Sequence, residues 1–247
     1  MNFKILVLYL GIAIIALSSC NADKDKSDSS NRRPKYIKKY REDGSLLSVA
    51  TVNDEKYAHG VKVNYYEDGT TIHSKVTYDD GRKNGPAIWY YKNGQIFEHT
   101  GFENNIKTGL TKKFYKSGEL MAEFTYEKDM VSPGLKEYKV DGTQITNYPK
   151  IRFREIDKLA SENKIILEIS PDRKGKNTKY YQLQKINEKQ NTQSYIDSEN
   201  GVCRMEFYVH PGNVLHNKIE FFAEVPTDLG NIRVTKETYS LNVMNIK

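Results

Sequence analysis

The sequence predicts an all-β protein in which stacked antiparallel hairpins are followed by a second β domain. Three features carry that expectation. A glycine returns at a fixed interval through the middle of the chain, an aromatic residue stands four positions before each of these glycines, and the last hundred residues alternate with a period of two. Hydrophobic residues make up 38% of the 247, enough for a folded core, while 28% are charged.

The repeated stretch runs from Tyr40 to Ile145. Gly44, Gly69, Gly94, Gly118 and Gly142 stand 25, 25, 24 and 24 residues apart. Fixed periods of roughly 20–50 residues mark repeat architectures, in which each unit buries its apolar face against the next. The aromatic positions are Tyr40, Tyr65, Tyr90, Phe114 and Tyr138, and an apolar residue follows each glycine by three: Leu47, Ile72, Phe97, Met121 and Ile145. A second glycine series, Gly60, Gly85, Gly109 and Gly134, falls where the next strand-like run is expected to begin.

One copy shows why each unit reads as a hairpin. Val61–Tyr66 is β-branched and aromatic, which suits a half-buried pleated surface. Glu67-Asp68-Gly69-Thr70 is turn chemistry, since Asp-Gly supplies positive φ. Thr71–Tyr78 returns, and Asp79-Asp80-Gly81 turns the chain again. The aromatic residue and the apolar residue seven positions later are expected to face each other across the hairpin, a pair contributing roughly 0.2–1 kcal/mol. A lone hairpin is marginal in water, so stability must come from stacking. Neighbouring residues on a strand point to opposite faces. The first aromatic of each copy is therefore expected to pack in the core, and Tyr66, Trp89, Tyr91 and Tyr115 to present an exposed binding set. On that assignment Tyr90→Ala costs a few kcal/mol, as large-to-small core changes do, and Tyr91→Ala much less.

Tyr65-Tyr66-Glu67-Asp68-Gly69, Tyr90-Tyr91-Lys92-Asn93-Gly94 and Phe114-Tyr115-Lys116-Ser117-Gly118 resemble the bacterial variant of the MORN repeat, over about two-fifths of the chain. Arg41 and Lys139 depart from it at the second aromatic position, as terminal caps do. The resemblance implies a twisted antiparallel sheet and no reaction, and members of the group are described as interaction modules or labelled antitoxin-like.

Upstream, Lys4 precedes an apolar run from Ile5 to Leu17, the length of a signal-peptide core and short for a spanning helix, which needs about 20 residues. Leu17-Ser18-Ser19-Cys20 looks like a lipobox, so 1–19 reads as a lipoprotein signal peptide and Cys20 as the lipidated residue. The expected location is the bacterial cell envelope, on the outer membrane, with the lipid as membrane anchor. If Cys20 carries lipid, Cys203 has no disulfide partner, and its alternation with Met205, Phe207 and Val209 places it in packing. Residues 20–35 are polar and read as a tether. From Asn21 to Tyr40 seven Lys/Arg face three Asp/Glu, so this segment holds +4 of the net +6. Basic character beside a membrane suits anionic head groups and gives no basic nucleic-acid face.

Residues 36–147 are assigned to the repeats and 148–247 to a second domain. Six strand candidates lie in it: Ile151–Asp157, Lys164–Ser170, Thr178–Ile186, Val202–His210, Lys218–Val225 and Asn231–Val243, with one short helical turn allowed between Glu155 and Asn163. Six or seven short strands in about 100 residues point to an immunoglobulin-like β-sandwich.

No cofactor, metal or catalytic set is expected. His59, His73, His99, His210 and His216 share no recurring spacing, although His210 and His216 flank one loop; two ligands make a weak metal site. G-x-S-x-G, a P-loop and a Rossmann fingerprint are absent from the sequence. The predicted function is a non-enzymatic, lipid-anchored module that binds another envelope protein through Tyr66, Trp89, Tyr91 and Tyr115. The alternatives are binding of cell-wall glycan on the same rings, and an antitoxin-like or immunity role by family analogy.

Overall fold

The computed structural model describes residues 34–173, 175–187 and 190–246. The signal peptide, Cys20 and most of the tether lie outside the described residues. From Pro34 onward the described chain forms one compact unit.

The repeats form a single antiparallel meander. Its strands are β1 (Lys35–Tyr40), β2 (Leu46–Val52), β3 (Ala58–Tyr65), β4 (Ile72–Asp79), β5 (Arg82–Tyr90), β6 (Ile96–Glu103), β7 (Ile106–Phe114), β8 (Leu120–Glu127), β9 (Met130–Val131), β10 (Lys136–Tyr138) and β11 (Gln144–Ile145). They run in sequence order across the sheet, with the short β9 branching from β8.

Two kinds of turn alternate along it. At one end the glycine of each repeat has positive φ, 85° at Gly94, and its N–H donates to the Tyr91 carbonyl at 2.9 Å while Tyr91 N–H reaches the Gln95 carbonyl at 2.8 Å. This is a turn followed by a glycine bulge, a common longer hairpin connection. The residue before the glycine caps it: Asp43, Asp68 and Asp141 accept from the backbone N–H of Ser45, Thr70 and Thr143. At the other end the two-residue pairs Asp80-Gly81, Asn104-Asn105 and Lys128-Asp129 all have positive φ, which is the geometry of a tight primed turn.

The bulge corrects the expected cross-strand pairs. Ile72 does face Tyr65, but Leu46, Ile96 and Leu120 face Tyr40, Tyr90 and Phe114, and Gln144 faces Tyr138. The bulge absorbs one residue in each hairpin, so the partner comes one position earlier than Leu47, Phe97, Met121 and Ile145. The second copy has an extra residue in its turn and restores the longer spacing. The second glycine series is also placed differently. Gly60, Gly85 and Gly109 lie inside β3, β5 and β7 at φ of 93°, 110° and 76°, beside shifts of register, rather than ahead of the strands.

The C-terminal part contains β12 (Ile151–Lys158), α1 (Leu159–Glu162), β13 (Lys164–Pro171), β14 (Lys179–Asn187), β15 (Gln190–Ile196), β16 (Ser198–Glu199), β17 (Val202–Tyr208), β18 (Val214–Pro226) and β19 (Ile232–Met244). The six expected strands are present and the single helical turn falls in its expected window. β15 and β16 were not expected; Gln190–Ile196 is too polar to show alternation. Two four-stranded antiparallel sheets result, ordered β12-β13-β17-β16 and β15-β14-β18-β19. Leu167 and Ile169 from the first and Tyr180, Phe221, Ala223 and Leu241 from the second share one hydrophobic cluster. Full burial of a Leu, Ile or Phe contributes about 1.5–3 kcal/mol, so this cluster is the main core of the described chain.

The sheet meets this pair of sheets through a polar knot. Lys113 and Glu137 both lie opposite Ala122 on neighbouring strands, hence on one face. Glu137 is 1% exposed and accepts hydrogen bonds from the Thr227 hydroxyl at 2.6 Å and the Asn231 amide at 2.7 Å, while Lys113 Nζ donates to Asn231 Oδ1 at 2.8 Å. The loop after β18 therefore lands on the face of the last repeat strands.

Candidate binding surface

The four aromatic residues singled out in the sequence do not form one stripe. Tyr66, Tyr91 and Tyr115 are half-buried at the glycine-turn end of the sheet. Their hydroxyls reach into the next repeat, donating to the carbonyl of its first aromatic residue: Tyr66 to Tyr90 at 2.5 Å, Tyr91 to Phe114 at 2.8 Å and Tyr115 to Tyr138 at 2.7 Å. Burial pushes the Tyr91 and Tyr115 hydroxyls up in pKa, with neighbouring Tyr66 and Glu137 adding to the effect respectively. Two of the rings are also engaged edge to face, Tyr66 with His73 at 4.8 Å and Tyr91 with Phe97 at 5.2 Å.

Arg41 completes the series. It occupies the second aromatic position of the first copy, and its Nη2 donates to the Tyr65 carbonyl at 2.7 Å. The departure from the repeat pattern thus preserves the bond while changing the donor.

A second ladder ties the opposite ends of the strands. Asn105 N–H donates to the Lys83 carbonyl and its side chain accepts from Lys83 N–H, both at 2.8 Å. Asp129 does the same to Lys107, at 3.0 and 2.8 Å. Gly81 has no side chain and keeps only the backbone half, to the Ala58 carbonyl at 2.8 Å. Each repeat is therefore clamped to its neighbour at both ends, beyond the strand pairing itself.

Trp89 stands apart from the three tyrosines. It lies in β5 opposite Ser74 and Glu98, packed against the buried Val76, Ala87 and Phe102, with its ring centroid 6.5 Å from Phe102. The most exposed aromatics are instead at the first strands: Tyr36, Tyr40 and Tyr57 at 60%, 58% and 54%. β1 pairs with β2 alone among the described residues, which leaves its other edge open. Lys35, Lys38 and Lys39 on that strand discourage sheet-to-sheet association.

Other candidates sort by geometry. Cys203 is fully buried, and burial pushes its thiol up to about 11, the setting of an inert packing cysteine. His216 Nδ1 bonds Asn242 Oδ1 at 2.8 Å, and neither it nor His210 joins a metal-ligating cluster among the described residues. His59, by contrast, meets Asp79 and Asp80, at 3.2 and 3.3 Å from its Nδ1. Their separation of twenty residues gave no signal in the sequence; only the hairpin register unites them. A cleft of about 260 Å³ opens where the sheet meets the C-terminal sheets, between Glu137, Tyr148, Arg173 and Leu229. The buried Tyr148 hydroxyl there is pushed up to about 12 by burial and by the Glu137 carboxylate.

No protein-family model matches the chain, and no curated protein matches it in sequence.

Proposed function

We propose that the protein is a lipid-anchored component of a bacterial cell envelope that acts by binding another protein through its repeat sheet. The observation that carries this is the double clamp between repeats. It fixes a hairpin stack into a rigid surface, so little ordering entropy opposes a partner that docks on it. The Leu17–Cys20 lipobox supports the anchor. On this reading the hairpins are MORN-type units. The order β12-β13-β17-β16 facing β15-β14-β18-β19 supports an immunoglobulin-like sandwich, because it matches the two-sheet strand order of that fold with one added edge strand.

The binding site moves relative to the sequence reading. Tyr66, Tyr91 and Tyr115 spend their hydroxyls on backbone carbonyls, and two of them present rings edge to face rather than coplanar. That favours a protein partner over a glycan platform. The exposed tyrosines Tyr36, Tyr40 and Tyr57 beside the open edge of β1 are the preferred contact, because an extended peptide adds to a free edge while side chains set specificity.

The experiment compares envelope cross-linking by the unmodified protein and by a Tyr36→Ser/Tyr40→Ser/Tyr57→Ser variant with matched melting behaviour. A partner lost only with the variant supports the reading, and an unchanged cross-link pattern removes that surface. Labelled palmitate incorporation, abolished by Cys20→Ala, tests the anchor separately.

A further inference from the structure

We propose that His59, Asp79 and Asp80 form a binding site for a late first-row divalent metal ion, of the zinc class, at the primed-turn end of the first two repeats. The inference is independent of the anchoring and partner readings. His59 lies on β3 one step beyond the Gly60–Tyr78 pair, which sets it against Asp79 at the end of β4. The Asp80-Gly81 turn folds back and ties to β3 through the Gly81 N–H and the Ala58 carbonyl at 2.8 Å, bringing Asp80 to the same imidazole.

The distances decide between a plain ion pair and a coordination site. Nδ1 stands 3.2 Å from Asp79 Oδ1 and 3.3 Å from Asp80 Oδ1. A charge-assisted hydrogen bond closes to about 2.7–2.9 Å. Two donor atoms on one tetrahedral zinc, each about 2.0–2.2 Å from the ion, stand about 3.3 Å apart. The three ligand atoms all lie within 4.8 Å of one another, so a small side-chain adjustment closes the set. One imidazole nitrogen with two carboxylates is a ligand set used by zinc, and it leaves outer positions for water. The Asn53 amide donates to Asp80 Oδ1 at 2.8 Å, as partners of metal-binding carboxylates do. The other repeats lack the set: the positions of His59 and Asp80 are taken by Asn84 and Asn104, then by Thr108 and Lys128. One ion per chain is therefore expected.

The test is calorimetric titration of zinc chloride into the full-length chain, free of any polyhistidine tag and stripped with chelator, with melting followed in parallel. A saturable one-to-one isotherm and a raised melting temperature are expected. Both are lost in His59→Ala and in Asp79→Asn/Asp80→Asn, whose chelator-treated melting matches the parent because all three side chains are exposed. No saturable binding, or an isotherm that survives either variant, overturns the site and leaves a surface ion pair.

Discussion

The Tyr91 hydroxyl donates to the Phe114 carbonyl oxygen at 2.8 Å, across a separation of 23 residues, and so joins one hairpin to the next. The bond recurs at Tyr66 and Tyr115, and Arg41 supplies it in the first copy. The period of the sequence is thus also the period of an inter-repeat bond. The second tyrosine of each pair is a stacking element rather than a free surface group.

Tyr91 should therefore be no cheaper to lose than Tyr90, against the expectation from strand alternation. Tyr91→Phe is expected to cost about 1 kcal/mol through the hydrogen bond. Tyr91→Ala should cost about 2–4 kcal/mol, because the Phe97 contact goes as well. Urea denaturation measures both. A loss below about 0.5 kcal/mol for Tyr91→Ala, the usual range of surface changes, sinks the clamp.

Arg41 can be tested by exchange. Arg41→Met removes the bonds to the Tyr65 and Leu46 carbonyls, at 2.7 and 2.9 Å, and should destabilise by about 1–3 kcal/mol. Arg41→Tyr restores the residue type of the inner copies and should recover part of the loss. If the two variants melt alike, the Arg41 bond is not equivalent to the tyrosine bonds.

Glu137→Ala leaves the Thr227 hydroxyl and the Asn231 amide without their acceptor at the joint between the sheets. With about 1–3 kcal/mol per unsatisfied buried group, a loss of about 2–5 kcal/mol is expected. Hydrogen exchange should rise first in the loop containing Thr227 and Asn231. Uniform protection across the molecule would falsify the view that Glu137 locks this joint.

Asp68 gives the turn a pH dependence. Hydrogen bonds from Thr71, side chain then backbone, and from Thr70 hold its carboxyl down at about 2, below its ordinary value of 3.8. The depressed pKa belongs to the folded state. Its stabilisation is therefore complete above about pH 4 and is lost as pH falls toward 2. The stability difference between the parent and Asp68→Ala should narrow over that window, as read by chemical denaturation at stepped pH. A difference independent of pH there shows that the carboxylate charge plays no part in the turn.

Much of the architecture is legible because it depends on local chemistry. Asp68-Gly69 and Asn93-Gly94 demand turns wherever the chain places them, and Val61–Tyr66 suits a strand in any sheet. The alternation of Ile219, Phe221, Ala223 and Val225 declares a buried face, and all four are buried. The candidate site is less legible. Alternation states which side of a strand a residue takes, but Tyr66, Tyr91 and Tyr115 lie just past the strand ends, where a glycine bulge resets the count. β15 escaped notice because its residues are polar, and its pairing with β14 is fixed by backbone bonds common to every residue type.

The sequence by itself determined that this is a repeat of hairpins with an all-β C-terminal part, since glycine conformational freedom and aromatic spacing act within a few residues. Only the tertiary structure decided which atoms the repeats use to hold one another. Tyr91 finds Phe114, His59 finds Asp79 and Asp80, and Glu137 finds Asn231 across 94 residues. Such pairings depend on register and on the bulges that shift it, and these are fixed when the sheet forms, by hydrogen bonds that no side chain announces in advance.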